Sequence, residues 1–279
     1  MVQELIDAGA DVNCRLRKIG VTPLFVAAER GHSKVVSLLI EENATPHARN
    51  WNGVTALGVA AMASRMDIVE DLLIDGAEVN SKDNEGNSII MNCIATEESS
   101  TPSTNPQILL QLLKAGADPN IKNKNGVFPL LSLSEKDSAA QKANTKWLRL
   151  LLENGANVNL YNLKRVDGQE IKETALSAAT RKGSEDIVEV LIEFGASIDI
   201  PMNSQLSEML IPLGVSIQLK HINVTKFLLE HGANQCYSSS MKKPHLAGCM
   251  DLAVGSRNYD MIQLIGMYED KMRKLHIEL

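Results

Sequence analysis

Apolar residues recur along the chain in short bursts at helical spacing: VVSLLI from Val35, DIVEDLLI from Asp67, QILLQLLK from Gln107, WLRLLLE from Trp147, DIVEVLIE from Asp186 and VTKFLLE from Val224. Leucine, isoleucine and valine fall at i, i+3 and i+4 in each, the pattern of a helix with one buried face. A small pair follows most of these bursts, as in Gly76-Ala77, Gly116-Ala117, Gly155-Ala156, Gly195-Ala196 and Gly232-Ala233, with Gly9-Ala10 ahead of them and Asn43-Ala44 in the same place. Glycine there ends a helix in the left-handed conformation, and asparagine is the best substitute for it. An all-α chain is the expectation.

The positions 9, 43, 76, 116, 155, 195 and 232 stand 34, 33, 40, 39, 40 and 37 residues apart, so a period of 33 with insertions dominates the sequence. A second phrase lies upstream of the bursts: VTPLFVAAERGHSKVVSLLI from Val21, VTALGVAAMASRMDIVEDLLI from Val54 and ETALSAATRKGSEDIVEVLI from Glu173. Thr22, Thr55 and Thr174 are helix caps, and Pro23 suits a first helical position, where its missing N–H costs nothing. The pairs Ala27-Ala28, Ala60-Ala61 and Ala178-Ala179 allow close helix approach, and Gly31 and Gly183 permit the turn into the second helix. Each unit is therefore a helix pair with a projecting hairpin, too small to bury its own apolar face and stable only by stacking on neighbours.

These phrases resemble ankyrin repeats. The resemblance implies an all-α ankyrin-repeat solenoid of helix-turn-helix units with β-hairpin fingers over residues 1–279. A partial repeat spans 1–13 and units fall near 14–47, 48–80, 81–120, 121–159, 160–199, 200–236 and 237–279. The opening half-unit suggests a cut from a longer repeat protein, and the polar ending MYEDKMRKLHIEL suggests a C-terminal cap. Extra residues are expected between the helices of two units, at Thr96 to Pro106 and Ser134 to Lys146, as adjacent polar loops, with Thr101 before Pro102 a phosphorylation candidate. In the next unit the extra residues move to the hairpin, Leu160 to Glu173, and the two hairpins after it are also long.

In the ankyrin family, partners are held by hairpin tips and first helices along a concave surface. Carried over, the tip positions are Lys18, Ile19, Trp51, Asn52, Asn84, Glu85, Lys124 and Asn125, and the first-helix positions are Glu29, Arg30, Met62, Ala63, Arg181 and Lys182. Trp51 is the sharpest of them, an aromatic residue placed either as an exposed anchor or as packing on the adjacent hairpin. Trp147 aligns with Ile187 and belongs to the core. Asn13, Asn80, Asn120 and Asn159 match the asparagines that cytoplasmic asparaginyl hydroxylases modify in ankyrin proteins, and the same residues also suit a structural role bonding the hairpin backbone. His32, after Gly31, matches a family histidine that bonds the next loop.

The formal charge of −6 is unevenly placed: residues 1–120 hold 9 Lys+Arg against 16 Asp+Glu, and the remainder 19 against 18. An acidic surface repels phosphate backbones, so the expected partner is another protein and not nucleic acid. Four scattered cysteines make no disulfide framework and point to a reducing compartment, cytoplasmic or nuclear. No apolar run is long enough to span a membrane. His231, Cys236, His245 and Cys249 lie close together, but their spacing is not that of a zinc finger, and no metal or cofactor is expected. No phosphate-binding, nucleophile-elbow or metalloprotease motif occurs, and the carboxylate pairs read as solvated charge, so no enzyme is expected. The function implied is a monomeric interaction scaffold or adaptor. The alternatives are a regulatory array of a larger enzyme or channel, or a secreted effector aimed at host proteins.

Overall fold

A computed structural model describes residues 1–95, 105–136, 141–166, 169–198, 211–233 and 246–277. Its elements are α1 (Val2–Asp7), α2 (Pro23–Arg30), α3 (Ser33–Glu41), α4 (Ala56–Met62), α5 (Met66–Ile74), α6 (Ile89–Ala95), α7 (Pro106–Lys114), α8 (Pro129–Ser134) and α9 (Gln141–Glu153). The antiparallel strands β1 (Tyr161–Val166) and β2 (Gln169–Thr174) follow. After them come α10 (Ala175–Lys182), α11 (Glu185–Glu193), α12 (Pro212–Gln218), α13 (Ile222–Glu230), α14 (Leu246–Gly255) and α15 (Tyr259–Ile277). The chain divides into two compact units, Met1–Ser132 with Arg149–Ala156, and Leu133–Leu148 with Asn157–Leu279.

Within the first unit α2 packs on α3 and on α4, α4 on α5 and α6, and α3, α5 and α7 stack in turn. The second unit repeats the scheme, α10, α12 and α14 forming one row and α11, α13 and α15 the other. Ala27, Ala28, Ala60, Ala61, Ala178 and Ala179 are all buried, and their small size lets the first helices of successive pairs approach. Leucine, isoleucine and valine of the second helices complete the core, and Trp147 is 1% exposed in α9. An all-α stack of helix pairs is what the periodicity predicts.

The caps act as their residue types require. The hydroxyl oxygens of Thr22, Thr55 and Thr174 accept from the N–H groups of Phe25, Gly58 and Ser177. Asn43 has φ +61° in its glycine-like place. The turn between the two helices is left-handed at Gly31 and Gly183, and also at Ser64, Lys220 and Arg257, where φ is +58°, +63° and +52°. A side chain at such a φ is strained by roughly 1 kcal/mol.

Three expectations need correction. Ser134 to Lys146 is not simply a loop: Gln141–Lys146 is the first part of α9, which is 13 residues long against 9 in α3, α5, α7, α11 and α13. Gln, Lys and Ala in QKANTK are good helix formers, and Asn144 is buried on the same helix as Trp147. His32 stands exposed to solvent, and among the described residues its ring bonds no loop. His221, at the matching place, bonds backwards: its ring lies against Gly183 of the preceding repeat and bonds the carbonyl of Arg181 at 3.2 Å. Cys14 and Cys93 are in no disulfide, whereas Cys249 is disulfide-bonded, against the reading of the four cysteines as belonging to a reducing compartment. The Thr96 to Pro106 insertion, Thr101 included, lies outside the described residues apart from Asn105 and Pro106, as do most of the two later hairpins.

Candidate functional site

The hairpins of the first unit build a row of tips. Asn50, Asp83 and Asn123 hold the same place in three successive hairpins, and each side-chain oxygen accepts two backbone N–H groups two and four residues on, at 2.8–3.0 Å. These short polar side chains shape the turn because they reproduce a backbone acceptor. Neighbouring tips are then joined by main-chain bonds: Trp51 N–H donates to Ile19, Asn84 to Asn52, and Lys124 to Glu85, at 2.9–3.1 Å. The Asn84 side chain adds a bond to the Trp51 carbonyl at 2.6 Å. Lys18, Ile19, Trp51, Asn52, Asn84, Glu85, Lys124 and Asn125 are all exposed on this row.

Trp51 packs on the preceding hairpin and still faces solvent. Its ring covers Gly20, where an added Cβ would come within 2.5 Å of the ring, and its Nε1–H donates to the Arg17 carbonyl at 3.3 Å. It nonetheless stays 56% exposed. On the first helices Glu29, Arg30, Arg181 and Lys182 are exposed, and Met62 and Ala63 are half-buried.

Arg181 has an internal role that the sequence did not announce. Glu173, on β2, is 1% exposed, and its two carboxylate oxygens meet Arg181 at 2.6 Å and the Lys164 ammonium of β1. Glu135 completes a quartet, 3.0 Å from Lys164 and 3.6 Å from Arg181. Burial lowers the pKa of Lys164, but hydrogen bonds and charge from Glu173 and Glu135 outweigh it and hold the group above the ordinary lysine range. The four residues come from a helix end, two strands and a second helix, so no local pattern could have paired them. The strand pairing runs from Tyr161 opposite Thr174 to Val166 opposite Gln169. Lys172 lies 4.9 Å from the centre of the Tyr161 ring on the finger's exposed face.

The four candidate asparagines share one geometry. Asn13 Nδ2 donates to the carbonyl of Asn43, Asn80 to Gly116, Asn120 to Gly155 and Asn159 to Gly195, at 3.0–3.4 Å. Three of them also accept on Oδ1 from the N–H two residues past that turn: Thr45, Asp118 and Ser197, at 2.7–2.8 Å. Each asparagine thus clamps the helix-end turn of the following repeat, not its own hairpin. Of the zinc candidates, His231 turns to its own helix, its Nδ1 2.9 Å from the Phe227 carbonyl, and Cys236 and His245 lie outside the described residues. Among the described residues no group of three metal-binding side chains occurs, and no helix is long and apolar enough to cross a membrane.

The helix pairs, left-handed turns and tied hairpins define an ankyrin-type repeat protein. A family model for ankyrin repeats in three copies matches residues 1–83, 93–202 and 136–239, and the chain belongs to the ankyrin repeat family. It is similar to the human transient receptor potential cation channel subfamily A member 1, 27% identical over 198 residues, covering 69% of this chain and 16% of that one. It is also similar to human ankyrin repeat and SOCS box protein 6, 27% identical over 240 residues, covering 81% of this chain and 53% of that protein. Mouse NF-kappa-B inhibitor zeta is 28% identical over 203 residues, covering 70% and 25%. The chain thus spans from about a sixth to half the length of these relatives. Ankyrin repeats are protein-interaction modules and generally not catalytic.

Proposed function

We propose that this chain is a scaffold or adaptor that binds another protein through its hairpin tips and first-helix ends. The row of tips carries the reading: backbone bonds between neighbours fix it in advance, and Trp51 is held on Gly20 and Arg17 while more than half its surface faces solvent. A large, rigid side chain that loses little freedom on binding is the usual centre of an interface. Glu29, Arg30, Met62 and Lys182 extend the surface along the first helices, whereas Arg181 is committed in part to Glu173 and Glu135.

The test is affinity purification with quantitative mass spectrometry, comparing the intact chain with Trp51→Ala. The substitution is expected to change stability by no more than about 1 kcal/mol and to weaken capture of a specific protein by about thirtyfold, a hot-spot loss of about 2 kcal/mol. If every specifically captured protein is indifferent to Trp51, the tips are not the binding surface. A second reading, a regulatory array within a larger channel or enzyme, is favoured by the small share of the human channel that the match covers. Coding sequence flanking the chain separates the two.

A further inference from the structure

We propose that the first two hairpin tips receive an acidic peptide segment with apolar side chains from the partner protein. The inference rests on the tips being a partner surface and adds the chemistry of what they hold. The first hairpin, Cys14 to Val21, carries Arg15, Arg17 and Lys18 and no carboxylate, and the second adds Arg49. Among the described residues Arg15, Arg17 and Lys18 form no ion pair, and only Arg49 has an anionic partner, Glu78 at 3.9 Å. Arg15 donates to the Arg49 carbonyl at 2.7 Å and stands 5.9 Å from the centre of the Trp51 ring, so its position is fixed by neutral groups and its charge is uncompensated. This happens inside a segment, residues 1–120, that is otherwise acidic.

The same two tips present Leu16, Ile19 and Trp51, each more than half exposed. Cations around apolar anchors match a segment in which carboxylates alternate with apolar residues. The third tip, with Asp83 and Glu85 against Lys82, ends the cationic stretch and limits the site to the first two. A nucleic acid would meet the surrounding acidic surface, which opposes a phosphate backbone.

The experiment pans a random dodecapeptide display library on the full chain and measures the enriched peptides by fluorescence anisotropy. Peptides rich in aspartate or glutamate with leucine or an aromatic residue are expected. Their affinity should fall about tenfold or more on reversing Arg17→Glu and Lys18→Glu together, fall with added salt, and be unchanged by Lys114→Glu on α7. Both reversed side chains are exposed, and the Arg17 carbonyl that holds Trp51 is backbone, so the fold is retained. Enrichment of neutral peptides, or of acidic ones indifferent to the reversal, refutes this inference and leaves the scaffold reading standing. Competition by a uridine oligonucleotide at equal strength, or self-association of the chain in sedimentation, also refutes it. Failure of any peptide to enrich counts against both readings.

Discussion

The short hairpins between Cys14 and Val127 and the long β1–β2 finger occupy the same place in the repeat but are held by different forces. The short ones are knitted by backbone bonds from each tip to the last, with asparagine or aspartate shaping the turn. The long one forms its own two-stranded ladder, and its base is fastened by the quartet of Glu135, Lys164, Glu173 and Arg181. A finger lengthened by insertion must satisfy its added peptide groups, and strand pairing does this without help from a neighbour. The buried Glu173 carboxylate then ties the strands to α10. Repetition supplies strength in one region and charge supplies it in the other.

The comparison breaks most visibly at Glu173. Glu173→Ala leaves two cations facing each other over a single half-exposed glutamate and is expected to lower unfolding free energy by about 3 kcal/mol in chemical denaturation. A loss below about 1 kcal/mol would show that the finger needs no electrostatic fastening. Next comes Asn80→Ala, which removes the bonds to Gly116 and Asp118 and is expected to cost about 1.5 kcal/mol by the same measurement. Asn80→Asp, which keeps the acceptor and loses the donor, should fall between the two proteins. Ser64→Gly works in the other direction, relieving a left-handed side chain at φ +58° and adding about 0.5 kcal/mol.

The smallest effect is in alkali. The folded state raises Lys164, so its stabilisation is complete below the unfolded value of 10.5 and fades as pH climbs through the folded one. Tyr268, raised by burial and then by the charge and hydrogen bond of Glu230, fades in the same direction from 10.0. Unfolding midpoints measured across this range should drop with pH, and less steeply in Lys164→Met.

What the sequence made legible was local or periodic. Thr22 as a cap, Asn43 in place of glycine and Trp147 in the core each follow from a residue type at a repeating position. The tips were legible too, because the hairpin is defined by what lies on either side of it. The quartet was not: Glu173 and Arg181 sit in a repeated phrase but Glu135 and Lys164 do not, and ion pairing between distant residues leaves no periodic trace. The start of α9 was misread for a different reason, since QKANTK lacks apolar periodicity while its residues favour a helix. The asparagine clamp was half legible: the right residues were named with a backbone-bonding role, but the bond was placed in the hairpin and not at the helix-end turn of the following repeat.

Among the described residues that clamp has one gap. The residue that stands where Asn13, Asn80, Asn120 and Asn159 do is His47 in the second repeat, and among the described residues its ring makes no bond to the Gly76-Ala77 turn. Considered as a mechanical object, a row of joints bolted on both sides of one unbolted joint concentrates compliance there. Tension or thermal agitation should part α3 from α5 before it parts any clamped pair.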